Sequence, residues 1–210
     1  MQNRVDPTGN IIDTNARGLW MGNRGQLHDH TTQILRPFKL KAWLICVLQF
    51  KDRRRKVMSP GLYTELFFLD EATAFAAGHR PCCECRRADH YRFKRYWLTG
   101  NPAYGFTENT GIKNIDDVVH KERINNRGDK VTFLANIDDL PAGTFIFVDE
   151  EPYLVAAPCL YHWTALGYDA RLPLPKNKMV TVLTPRSVVN TFCAGYLPQM
   201  SIEAVEPNAC

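Results

Sequence analysis

The sequence predicts an α+β protein: a small basic α/β module, a helical connector, and a small antiparallel β-rich unit. Three observations predict it. Apolar, β-favouring runs alternate with helical segments up to about residue 100; a helical stretch covers 114–126; and from Lys130 the chain breaks into short strand-like runs separated by turns. The boundaries follow as 1–100, 101–130 and 131–210.

The first 35 residues are rich in Asn, Gly, Asp and Thr and read as extended or looped chain, with turns at 6–9 and 23–25. Residues 43–50 form a continuous β-favouring run, expected as a buried strand, which ends in the charged run 51–56. A second strand is expected over 62–69. Asp70 is then a good N-cap, and Glu71 in the first turn suits the helix dipole. Gly78 stands where a left-handed C′ residue belongs, and Pro81 prevents continuation. A second helix is expected from Glu84 to about Leu98, with Ala88, Tyr91, Tyr96 and Trp97 available for packing, and Asn101-Pro102 ends it. Beyond Lys130, strands are expected over 131–134, 144–148, 152–155 and 180–183, with turns at 141–143, 149–151 and the Pro-rich 171–175. The strand–helix–Gly-x-x-Pro order of 67–81 recurs at 181–198, as a duplication or as a common way to end a helix.

Apolar residues make up 45% of the 210, enough to bury a core, and no apolar run approaches the roughly 18–20 residues of a membrane helix. The N-terminus lacks the apolar core of a signal peptide, so a cytoplasmic protein is expected. The net charge of +4 conceals an asymmetry. Residues 1–95 carry 17 Lys/Arg against 9 Asp/Glu, and residues 96–210 carry 9 against 13. An anionic partner for the first half follows from that sign, and a protein partner for the acidic second half is the alternative it leaves open.

Seven cysteines, at 46, 82, 83, 85, 159, 193 and 210, are too few for a secreted disulfide scaffold and fit metal ligands plus buried or free thiols. Cys82 and Cys85 have the C-x-x-C spacing with which two thiolates hold one Zn2+ across a tight turn. A helix N-terminus flanked by Arg80, Arg86 and Arg87 favours the thiolate. Of the adjacent pair Cys82 and Cys83, only one is expected to face inward. The expected ligand set is His28, Cys46, Cys82 and Cys85; His30, His79 and His90 are the other candidates. A redox pair and an unliganded cysteine cluster are the competing readings. Cys46 taken alone reads as a core residue, and each histidine as an ordinary side chain.

The segment 67–85, Phe-Phe-Leu-Asp-Glu-Ala-Thr-Ala-Phe-Ala-Ala-Gly-His-Arg-Pro-Cys-Cys-Glu-Cys, resembles the second half of the Ada-type metal-binding domain. In that family a strand, an alanine-rich helix and an Ala-Gly-Tyr-Arg-Pro-Cys-x-x-Cys turn carry two of four zinc thiolates. The stretch 22–28, Gly-Asn-Arg-Gly-Gln-Leu-His, is similar to the approach seen in its relatives. The resemblance implies zinc and a DNA-contact surface. It does not carry methyl transfer, because the family's two upstream cysteines are here reduced to Cys46, which lies in a strand.

Eleven of the 26 Lys/Arg fall within 51–95 and bracket the cysteines. Arg53, Arg54, Arg55, Lys56, Arg80, Arg86, Arg87, Tyr91, Lys94 and Arg95 are the expected nucleic-acid-binding residues, cations mixed with an aromatic as on a phosphate-binding surface. A solvated charged face is the plain alternative. A zinc-stabilised protein that binds DNA or RNA is therefore the expected function. An enzyme acting on nucleic acid is the alternative: either a metal-dependent nuclease using His120 with Asp116 or Asp117, or a thiolate acceptor using Cys46 or Cys83. No phosphate loop, dinucleotide fingerprint or Ser-His-Asp order is present.

Overall fold

The computed structural model describes residues 1–51 and 56–202. The chain runs β1 (Gln2–Val5), β2 (Ile11–Asp13), β3 (Trp20–Asn23), β4 (Leu44–Cys46), β5 (Leu66–Phe68), α1 (Glu71–Ala76), β6 (Arg80–Pro81), α2 (Arg87–Gly100) and α3 (Ile112–Arg123). There follow β7 (Phe133–Asn136), β8 (Phe145–Val148), β9 (Glu151–Ala156), β10 (Cys159–Thr164), β11 (Gly167–Pro173), β12 (Met179–Val182) and α4 (Arg186–Cys193). The α+β class is as expected. Two six-stranded sheets carry it, in the orders β2-β1-β5-β3-β4-β6 and β11-β10-β9-β8-β12-β7. The first is mixed, with β1 parallel to β5 and β4 parallel to β6. Every pairing in the second is antiparallel.

Helix α1 lies between the sheets. All six of its residues are buried, and it serves two cores. Ala74 and Phe75 join Val5, Ile45, Leu66 and Phe68 of the first sheet, together with Phe93 and Trp97 of α2 and Phe192 of α4. Ala72 and Ala76 face Phe145, Leu154 and Trp163 of the second sheet. An alanine-rich helix is what two close-packed layers require, because larger side chains at those positions would force them apart. Its ends form as expected: Asp70 caps the N-terminus by accepting from the Thr73 amide, and Gly78 at φ +85° closes the C-terminus.

The structure differs from the sequence reading in detail. Within the first 35 residues, expected as extended or looped chain, the extended parts are the strands β1, β2 and β3, two of them paired with β5. Their polar composition hides strands that are completed by distant partners. The run 171–175 also forms no separate turn, because β11 extends to Pro173 in register with Cys159. Helix α2 begins at Arg87, three residues later than expected, because 83–86 are spent on a turn. The strands at 43–50 and 62–69 shorten to three residues each.

Helix α3 is held by a buried ion pair. Both guanidinium arms of Arg80 reach both carboxylate oxygens of Asp116 at 2.7 Å, and both side chains are under 10% exposed. Breaking one partner of such a pair leaves an uncompensated buried charge. Asp116→Ala should therefore lower unfolding free energy by about 3–5 kcal/mol, whereas Arg80→Met/Asp116→Leu should recover most of the loss. Urea denaturation of the three proteins measures this.

A candidate metal centre at β4, β6 and the following turn

The parallel pairing of β4 with β6 sets Leu44 opposite Arg80 and Ile45 opposite Pro81. The next step of that register brings Cys46 beside Cys82, and the Cys82 amide donates to the Ile45 carbonyl at 2.9 Å. The chain then turns back on itself, with the Arg86 amide donating to the Cys82 carbonyl at 3.1 Å. That turn returns Cys85 to the same point. The sulfurs of Cys46, Cys82 and Cys85 lie within 4.8 Å of one another, and the group could hold a metal ion. Tetrahedral zinc with bonds of roughly 2.3 Å would place its sulfurs about 3.8 Å apart, so the three need only small adjustments.

The surroundings suit thiolates. The Glu84 amide donates to the Cys82 sulfur at 3.4 Å. Hydrogen bonds from the Cys46 and Cys85 thiols, and then from the Cys85 and Glu84 amides, hold the Cys82 thiol below its ordinary range. Those same bonds to Cys82 and Cys85, and then burial, push Cys46 up. The three sulfurs thus share thiol protons in hydrogen bonds to one another. A bound cation would displace those protons, and amide donors of this kind orient metal-bound sulfur.

Two buried ion pairs bracket the turn. Arg80 before it holds Asp116, and Arg86 after it reaches Glu71 at 2.6 Å and Asp89 at 2.8 Å while stacking over Trp20 at 4.0 Å. The three sulfurs line a cleft of about 360 Å³ together with Tyr63, Glu65 and Glu84.

Of the expected ligands, the structure brings together Cys46, Cys82 and Cys85 and leaves out His28. His28 is buried with Nδ1 2.6 Å from the Thr64 hydroxyl and Nε2 3.3 Å from the Ser59 carbonyl, and it pins one loop to another. Cys83 is exposed, so Cys82 is the inward member of the pair. Cys159 is disulfide-bonded, where the sequence reading expects a thiol.

The expected nucleic-acid-binding residues divide. Arg80 and Arg86 are corrected: each is 6% exposed, with its charge spent on carboxylates inside the protein. Arg87, Tyr91 and Arg95 are exposed on α2, and Lys94 is partly exposed and donates to the Glu108 carbonyl. Lys56 is exposed, while Arg53, Arg54 and Arg55 lie outside the described residues. The nuclease constellation is not assembled. Asp116 serves Arg80 and Asp117 pairs with Lys41. His120 packs edge-on to Phe38 and accepts from Arg123 at 2.7 Å; burial and that guanidinium lower its pKa to about 4.

Comparison with protein families, curated proteins and solved structures returns no match for this chain. Of what the Ada-type resemblance implies, the structure shows the gathering of three thiols that could hold a metal ion.

Cys82→Ser/Cys85→Ser should abolish metal binding, Cys46→Ser should weaken it, and His28→Ala should leave metal content unchanged. Elemental analysis of freshly reduced protein measures this. Since binding must displace thiol protons, metal affinity should fall as pH is lowered from 8 to 6, as a competitive chelator titration would show.

Proposed function

We propose that this chain is a zinc-stabilised nucleic-acid-binding protein, in which Cys46, Cys82 and Cys85 hold a structural Zn2+ and the outer face of α2 meets phosphates. Thiolate donors in this number and spacing suit zinc better than harder ions. The observation that carries the reading is the placement of α2. It begins two residues after Cys85, so an ion at the sulfurs would fix the root of the helix that bears the exposed cations. On that helix the Arg87 guanidinium lies 5.7 Å from the Tyr91 ring and Arg95 lies 5.0 Å from Tyr96. Arg92 and Lys94 add charge beside a shallow groove that Tyr91, Leu98 and Glu108 help to line. Cations supply the sequence-independent affinity for a phosphate backbone, and the aromatics offer surfaces for base stacking.

A second reading is favoured by the three-thiol set lying in a cleft. Zinc with three protein ligands keeps a fourth position for water or substrate, as in catalytic sites. Cobalt substitution separates the two readings. An absorption band that shifts when a small thiol or azide is added would reveal an exchangeable fourth position; an unresponsive tetrahedral spectrum would favour the structural role.

The zinc-loaded protein should bind single-stranded or double-stranded oligonucleotides with an affinity that falls as salt rises. Arg87→Glu/Arg95→Glu should reduce the slope of log K against log salt by about 1 per contact removed. Fluorescence anisotropy with DNA and RNA probes measures this. No retention at low salt would reject the reading and leave a protein partner to be sought.

A further inference from the structure

Around Trp43 the protein gathers cations that, among the described residues, have no carboxylate at ion-pair distance. Arg24, which follows β3, is fully buried. Its Nε donates to His79 Nε2 at 3.1 Å and its Nη1 to the Gly9 and Pro37 carbonyls, while Nη2 is buried with no partner. Arg123, at the end of α3 and 3% exposed, donates to the carbonyls of Gly78 and Lys41 and leaves its Nε unpartnered. Lys130, in the loop after α3, reaches the carbonyl of buried Ala76. Both guanidinium groups stack on Trp43, each 3.8 Å from the ring centroid.

Carbonyl oxygens and an aromatic face satisfy part of this demand, but they supply no negative charge. Among the described residues no carboxylate lies within ion-pair distance of Arg24, Arg123 or Lys130; Asp6 acts on Arg24 and Lys130 from further off, its Oδ1 already accepting from Thr8 and Asn10, and Asp116 acts on Arg123 while paired with Arg80. His79 between the guanidiniums stays neutral, since burial and those cations push its pKa well below the ordinary value. Two buried guanidinium groups beside a partly buried ammonium are costly to fold among neutral dipoles, and an anion is what would offset that cost.

The three cations line a cavity of about 330 Å³, with Arg36 at its exposed rim and apolar wall from Ile11, Ile34 and Pro37. That volume lies in the lower part of the range for small-molecule sites. We propose that this cavity binds a small organic oxyanion, a carboxylate or phosphoryl group seated on Arg24, Arg123 and Lys130 with an apolar body against Ile11, Ile34 and Pro37. Planar guanidinium groups suit either head group, because two N–H donors can face two oxygens of one anion. The site shares no residue with the three thiols or the exposed face of α2, so it stands apart from the nucleic-acid reading.

The test is calorimetric titration of the full-length protein as purified with phenyl phosphate, benzoate and phenyl sulfate, with inorganic phosphate and sulfate as head groups alone. Phenyl sulfate keeps one charge across the useful range, so its pH dependence reports the protein. Burial, with Arg123 and Arg24 opposing Asp6, brings Lys130 down to about 7. Its charged form is present below that pH and lost above it, so phenyl sulfate should bind about tenfold more weakly at pH 8 than at pH 6. Lys130→Met should remove most of that dependence and weaken binding about tenfold at pH 6. Arg24→Gln should weaken binding at both pH values, and if it does not fold, Lys130→Met alone decides. Arg87→Glu/Arg95→Glu should bind the probes as the wild type does. No saturable binding of any probe up to about 10 mM, or binding unchanged in Lys130→Met, would overturn the proposal.

Discussion

The Cys82–Cys85 turn depends on being anchored at both ends. Arg80 enters it tied to Asp116 of α3, and Arg86 leaves it tied to Glu71 at the start of α1. Each guanidinium is buried, so each pair is strong where water cannot compete and intolerant of losing a partner. The turn is thereby held against β4, whose register supplies Cys46.

The same network reaches the second sheet. Glu71 also accepts from the Tyr196 hydroxyl and the Gln199 amide. Its neighbour Asp70 accepts from the Tyr168 hydroxyl of β11 and the Ser201 amide. Burial raises the Asp70 pKa while these hydrogen bonds oppose the rise. Trp163 of β10 donates to the Thr73 hydroxyl. One short helix with two acids at its N-terminus therefore links the cysteine turn, the C-terminal segment and the β-rich unit. Phe192 and Tyr196, from the end of the chain, complete the core around Phe75.

Three groups of basic residues sit in distinct environments. Arg80 and Arg86 are internal struts. Arg87, Arg92 and Arg95 are exposed on α2 and open to a large polyanion. Arg24 and Arg123, together with Lys130, line the cavity beside Trp43 proposed for a small anion. Gly78 makes room for that cluster: a Cβ there would lie 2.3 Å from Arg123 Cδ, and the residue's φ of +85° already favours glycine. Positive charge summed along the sequence points to an anionic partner without distinguishing these environments.

Local signals in the sequence determined the α1 cap, its glycine stop, the C-x-x-C turn, the α+β class and three of the four expected metal-site residues. Those features rest on contacts between near neighbours or on strong residue preferences, which composition and spacing express directly. The polar strands β1 to β3 and the internal role of Arg80 and Arg86 were not legible. Neither was the gathering at Trp43 of Arg24 with Arg123 and Lys130, from which it lies about a hundred residues away in the sequence. His28 shows the same boundary, since its loop carries it to Thr64 and Ser59 rather than to the sulfurs. Only the tertiary fold decides which distant side chains share a buried volume, because burial sets whether a charge must find a partner and pairing across the sheet sets which partner it meets.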